Sequence, residues 1–259
     1  LKIIDASWHM PFQKRNPAEE YRNAHIPNSI FFDLDENSEK DIDLPHMLPK
    51  QKTWGKIMSS LGINNNDDIL IYDNSDLKSS CRCWFSLLYF GHNEKKINVL
   101  DGGLKKWIFE NKPITKNKTE IIESNYVAIE KENLVVSLDQ IKKNILSKSF
   151  NVIDARSRER YEGKVSEPRK GLRSGHIKNS FCLPFNQCID QKTGEFKNLE
   201  ELRELFNHHE SFEKKLDPVF TCGSGVTASV LAYAYKMINN DYIPKIYDGS
   251  WSEYGKYPA

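Results

Sequence analysis

Short apolar runs that close on an aspartate or a cysteine, with longer stretches of helical period between them, divide this chain into alternating elements. "KIID" at 2–5, "ILIYD" at 69–73 and "INVLD" at 97–101 have the length and make-up of buried parallel strands. "CRCWFSLLYFGH" at 81–92 reads as a buried helix between the second and third of them. The same order then returns as "NVID" at 151–154, "DPVFTC" at 217–222, a helical "VTASVLAYAYKMI" at 226–238 and "PKIYD" at 244–248. Asp5 corresponds to Asp154, His25 to His176, and Asp101–Gly102 to Asp248–Gly249. The spacing agrees, since Asp5 to Asp73 and Asp154 to Cys222 are both 68 positions. Strands alternating with helices predict a small α/β domain with a mainly parallel sheet and helices on both faces, here built twice. The second half opens on "LVVSLDQIKKNILSKSF", where Ser137 has the place of an N-cap and Leu138, Ile141 and Ile145 share a helical face. The first half has no counterpart and Leu1 begins almost inside a strand. A preceding helix, and any targeting peptide with it, is therefore expected to be trimmed from this chain.

The domains are expected at 1–112 and 134–259. Between them, 113–133 is polar, charged and without helical period, as a linker laid over a surface would be. The length of 259 residues suits two domains of about 100 to 150 residues each. With 13 Phe, 11 Tyr and 5 Trp there is material for two packed interiors. No apolar stretch approaches the roughly 18 to 20 residues of a bilayer span, and mean hydropathy is −0.63, so no membrane partner is expected. Lys and Arg total 37 against 36 Asp and Glu, with no basic aromatic stripe, which makes nucleic acid a poor partner. Five cysteines, at 81, 83, 182, 188 and 222, are too sparse for a disulfide scaffold and point to a reducing compartment, taken as the cytoplasm. Cys81 and Cys83 lack the spacing of a zinc pair, so no metal is expected and both read as buried small thiols.

The most informative string is "DPVFTCGSGVTA". An apolar strand delivers Cys222 to its carboxyl end, Gly223 and Gly225 permit a tight turn, and a helix opens near Val226 or Thr227. A thiol there lies over backbone N–H groups and a helix N-terminus, both of which favour the thiolate. In the first half the same place holds Asp73, followed by "NSDLKSS" without a Gly-X-Gly turn, so that loop reads as catalytically inactive. Such a thiolate attacks phosphorus or sulfur. Cysteine phosphatases require an arginine six positions after the cysteine; here that position is Ala228, which disfavours phosphoryl chemistry. His25 and His176, kept in both halves, read as structural, whereas His46 in "LPHMLP" has no counterpart.

With "CGSGVTA", "AHIPNSIFFDLD", "LPHMLP", "NVLDGGLKKW", "DARSRERYEG" and "SGHIKNSFCLPF", the chain resembles the tandem-domain rhodanese superfamily, and its 3-mercaptopyruvate sulfurtransferases in particular, over essentially its whole length. Thiosulfate-preferring rhodaneses usually carry two basic residues where this chain has Gly223 and Ser224. The resemblance implies two tandem rhodanese-like domains, the second catalytic. It implies Cys222 as nucleophile, Arg160 and Arg169 as the pair gripping a keto-acid substrate, and Ser224, His46 and Asp35 as a polar relay in a cleft between the domains. The amides of Gly223, Gly225, Val226 and Thr227 would hold a persulfide, and no cofactor is implied. Expected partners are a small-molecule sulfur donor and a thiol, cyanide or thioredoxin-like acceptor. Arg156, Arg158 and Arg173 are expected to be merely solvated. Two rival readings are a thiosulfate sulfurtransferase and a non-catalytic rhodanese-like binding module in which Cys222 only packs.

Overall fold

A computed structural model describes residues 1–207 and 216–257; residues 208–215 and 258–259 of the expected second domain lie outside the described residues. The chain divides into two compact units. The first takes Leu1–Asp41, Leu48–Glu132 and Lys192–Glu195; the second takes Ile42–Met47, Asn133–Gln191 and the chain from Phe196 on.

In the first unit the elements run β1 (Lys2–Asp5), α1 (Pro17–Asn23), β2 (Ser29–Phe31), α2 (Gln51–Ser60), β3 (Ile69–Tyr72), α3 (Ser80–Tyr89), β4 (Ile97–Val99) and α4 (Gly103–Phe109). The sheet has the order β2-β1-β3-β4 and every pair is parallel. Ile4, Ile69 and Ile71 are fully buried in it, as strands covered by helices require. The 113–133 stretch is hydrogen-bonded to this unit. Ser124 N–H donates to Ser59 O, Ile129 N–H to Phe90 O and Lys131 N–H to Tyr89 O, and the Tyr126 ring lies parallel to that of buried His92.

In the second unit the order along the chain is β5 (Val135–Val136), α5 (Leu138–Ser147), β6 (Asn151–Asp154), α6 (Arg158–Tyr161), β7 (Ser180–Cys182), α7 (Leu199–Asn207), β8 (Pro218–Thr221), α8 (Val226–Ile238), β9 (Ile246–Tyr247) and α9 (Ser250–Tyr254). The sheet order is β5-β9-β8-β6-β7, again parallel throughout. Both units are α/β, as the alternating pattern predicts. The extra strand β5 and helix α5 are the segment without a first-half counterpart. Ser137 caps α5 reciprocally with Gln140, and Leu138, Ile141 and Ile145 pack on a core that includes Val152, Val219 and Trp251.

The register explains the repeat spacing. Asp5 lies opposite Tyr72 and Asp154 opposite Thr221, so Asp73 and Cys222 are each the first residue beyond the carboxyl end of a central strand. His25 stacks on Tyr21 with ring centroids 4.2 Å apart, and His176 on Tyr161 at 4.1 Å. Each imidazole also bonds the carbonyl of the tyrosine it covers. Central helix α8 is apolar nearly all round, and its Ala228, Ala232 and Ala234 are wholly buried, small enough for close approach to neighbouring elements.

Candidate active site

Cys222 follows β8 directly, and the turn Gly223–Ser224–Gly225 carries the chain into α8. Gly225 has φ +79°, a left-handed conformation that favours glycine, and caps the helix. At Gly223 it is the neighbours that come close. A Cβ built on it would stand 3.2 Å from Arg160 Nη2 and 3.6 Å from Arg169 Nη1, so both guanidiniums approach the backbone beside the cysteine. Cys222 itself exposes only 2% of its surface. The residue after it faces cations and not hydrocarbon.

The turn is laced to the start of α9. Ser250 Oγ accepts the N–H groups of Cys222 and Gly225, each at 3.2 Å, and donates to Tyr247 O at 2.8 Å. Trp251 N–H donates to Cys222 O and Ser252 N–H to Gly223 O, both at 2.9 Å. The Gly225 amide is thus taken by a serine that sequence reasoning did not single out. The first-turn amides of α8, among them those of Val226 and Thr227, have no intrahelical acceptor, which is the usual condition of a helix start. In the first unit the equivalent place supplies its own anion: the Asp73 carboxylate accepts Ser75 N–H at 3.0 Å and, at the start of α3, Ser80 N–H at 2.8 Å.

Ser224 Oγ is joined to His46 Nδ1 at 2.8 Å and accepts from Arg169 Nη2 at 3.3 Å. His46 comes from the 42–47 segment, which packs as part of the second unit although its sequence position lies in the expected first domain. Its backbone is left-handed, at φ 61°, and Lys256 ties the segment down through Asp43 O at 2.7 Å. Asp35 belongs to the first unit, where its Oδ2 accepts the Trp8 indole N–H at 2.9 Å.

Of the arginines expected to be merely solvated, Arg156 is buried and Arg173 is half-buried against aromatic rings. Arg156 is fully buried. Its Nη2 donates to Asp154 Oδ2 at 2.6 Å and to Gly175 O at 2.8 Å, its Nη1 donates to Glu167 Oε1 at 2.9 Å, and it lies over the Trp251 ring at 4.3 Å. Burial alone would lower its pKa, but the carboxylates of Asp154 and Glu167 outweigh that and raise it above the ordinary value. Arg173 covers Trp251 and Tyr254. A guanidinium whose charge is paired on several sides can leave water, as Arg156 does, and one whose plane is stacked on aromatic rings can be partly covered, as Arg173 is. Glu167, also missed from sequence, holds Arg160 through Oε1 at 3.1 Å and Oε2 at 2.6 Å.

Among the other thiols, burial pushes Cys182 and Cys188 up to about 12, and Cys81 and Cys83 also upward. These four are therefore poor nucleophiles. Among the described residues no three His, Cys, Asp or Glu side chains converge as metal ligands would, and no helix is long and apolar enough to cross a membrane.

A model of the rhodanese-like domain matches this chain twice, over residues 2–110 and 137–257. Thiosulfate/3-mercaptopyruvate sulfurtransferase 1, mitochondrial, of Arabidopsis thaliana is 39% identical over 280 aligned positions, covering 100% of this chain and 72% of its own length. The 3-mercaptopyruvate sulfurtransferase of Homo sapiens is 36% identical over 260 positions, covering 98% and 84%. Among solved structures, SseA from Escherichia coli, presented as the rhodanese fold of 3-mercaptopyruvate sulfotransferases, superposes with a TM-score of 0.86 at 34% identity, covering 97% of this chain and 93% of its own.

Proposed function

This chain belongs to the rhodanese-like family, carrying the domain twice, and from that premise we propose that it takes sulfur from 3-mercaptopyruvate onto Cys222, releases pyruvate and passes the sulfur to a thiol or cyanide. One observation carries the reading from the residues: two guanidiniums lie against Gly223, immediately beside the thiol at the strand end. Two planar forks at one point suit a 2-keto acid, whose carboxylate and carbonyl oxygens both accept hydrogen bonds.

The Cys222 thiolate attacks the sulfur of 3-mercaptopyruvate and the carbon–sulfur bond breaks. Its electron pair goes to carbon as the enolate of pyruvate, whose charge Arg160 and Arg169 offset. Protonation gives pyruvate and leaves a persulfide on Cys222, and the hydrogen-bonded Ser224 and His46 are the groups to hold that proton. The outer persulfide sulfur then meets helix-start amides, a favourable place for an anion. An acceptor thiolate, cyanide or a thioredoxin-like protein attacks that sulfur and returns the thiolate. Asp35 enters this scheme from the family resemblance alone. Five free, buried cysteines support a reducing compartment, the cytoplasm in the first instance.

The Arabidopsis relatives are named for both donors, so the test is a comparison of donors. Steady-state kcat/KM is expected to be higher for mercaptopyruvate than for thiosulfate. The reverse order overturns the donor assignment in favour of a thiosulfate sulfurtransferase.

A further inference from the structure

The geometry points to Glu167 as a positioning and donor-selecting residue, one that acts through Arg160; this deepens the sulfurtransferase reading and rests on it. A buried carboxylate requires charged partners, since an ion removed from water without them is costly. Glu167 has two. Its side chain is 2% exposed and lies between Arg156 and Arg160, accepting from Arg156 Nη1 and from both Nε and Nη2 of Arg160.

The two arginines differ in how they are held. Arg156 is fixed by both oxygens of Asp154 at the end of β6, by Gly175 O and by the face of Trp251, a residue whose backbone N–H donates to Cys222 O. Arg160 stands on the four-residue helix α6, and its side chain is 22% exposed. Among the described residues its guanidinium donates hydrogen bonds to Glu167, through Nε and Nη2, so that carboxylate sets where its fork lies against Gly223. A free arginine side chain gives up rotamer entropy on being fixed. Glu167 fixes it before any ligand arrives, and leaves the Nη1 edge for a substrate oxygen.

The first unit offers an internal control. The residue two after its strand aspartate is Ser7, not an arginine, and Ser7 N–H and Oγ bond Asp5. The chain of alternating charges Asp154, Arg156, Glu167 and Arg160 occurs in the unit that carries the thiol loop.

Charge gives the second consequence. Glu167, shared between Arg156 and Arg160, offsets part of the Arg160 charge, so the pair presents hydrogen-bond donors with less excess positive charge. That suits a donor with one carboxylate better than thiosulfate, which bears two negative charges. In Glu167→Gln one acceptor oxygen becomes an N–H donor facing a guanidinium, and the neutralising charge is gone.

The test measures both donors on the wild type, on Glu167→Gln, on Arg160→Ala and on the double variant. Glu167→Gln is expected to raise KM for mercaptopyruvate about tenfold or more with a smaller change in kcat, and to lower the mercaptopyruvate-to-thiosulfate ratio of kcat/KM by a similar factor. On the Arg160→Ala background the same replacement is expected to add no further rise in KM. Equal losses on the two donors, or a rise in the double variant as large as in the wild type, would overturn the proposal and leave Glu167 a part of the scaffold. Should Glu167→Gln not fold, Glu167→Asp keeps the charge but shortens the reach; a raised KM supports the proposal and an unchanged one overturns it. A wild type that accepts sulfur from neither donor sinks the sulfurtransferase reading itself, and that result is read before any variant is made.

Discussion

Gly223 shows how a missing side chain leaves room for two guanidiniums beside a backbone turn. Its backbone is not left-handed, unlike that of Gly225, so turn geometry does not demand glycine there. The space beside it is taken instead by Arg160 and Arg169, whose guanidiniums a side chain there would crowd. The two strand-end aspartates make a second contrast. Asp154 is paired with Arg156, whereas Asp5 has Ser7, and burial pushes the Asp5 carboxyl up to about 6 despite the Ser7 hydrogen bonds. A carboxyl raised in the folded state adds stability below its unfolded pKa, near 4, and loses it as pH rises through about 6. Asp5→Asn is therefore expected to stabilise the protein at pH 7 by up to about 3 kcal/mol, with the gain vanishing below pH 4. Thermal unfolding of both proteins between pH 4 and 8 measures it, and a difference that does not change with pH would contradict the assignment. The place of Cys222 between a strand end and a glycine turn was legible in the sequence because strand, turn and helix are neighbours along the chain. Arg156 and Glu167 were not, because an ion pair between residues 11 apart, on either side of the short helix α6, leaves no periodic trace. The one available signal was "DAR" at the strand end where the other half has "DAS".

At the scale of elements, the repeat fixes which strands are central, and the loops after them diverge. The loop after β3 fills its own helix start with the Asp73 carboxylate, while the loop after β8 presents a thiol and is tied to α9 through Ser250. That serine stands at φ 50°, a conformation that costs a non-glycine residue about 1 to 2 kcal/mol. Its first-unit counterpart is Gly103, also left-handed, at φ 57°. The strand ends, the start of α8 and the Ser137 cap of α5 were all readable from local composition. The placement of His46 with the second unit was not, since nothing in residues 42–47 reveals which unit they will pack on. Helix α5 gives a clean test of its boundary. Ser137→Ala removes the acceptor for Gln140 N–H, which is one half of the capping box, and is expected to cost about 1 kcal/mol. Chemical denaturation reads this as a lower midpoint at constant slope, and an unchanged midpoint would show that the cap contributes nothing.

Over the whole molecule, the near-balance of 37 basic and 36 acidic residues hides a local arrangement that no net charge could report. In the second unit, acid and base alternate through Asp154, Arg156, Glu167 and Arg160 until the series meets the turn that carries the thiol. Of the five cysteines, four are strand, helix or loop residues that burial holds protonated, and the fifth opens the glycine turn. Sulfur carriage by that fifth cysteine is read without kinetics by weighing the intact protein after exposure to 3-mercaptopyruvate in the absence of an acceptor. The wild type is expected to gain the mass of one sulfur atom, lost again on adding cyanide, and Cys222→Ser is expected to gain none. A folded wild type that gains nothing, or a Cys222→Ser protein that still takes up sulfur, would contradict the assignment of Cys222 as the carrier.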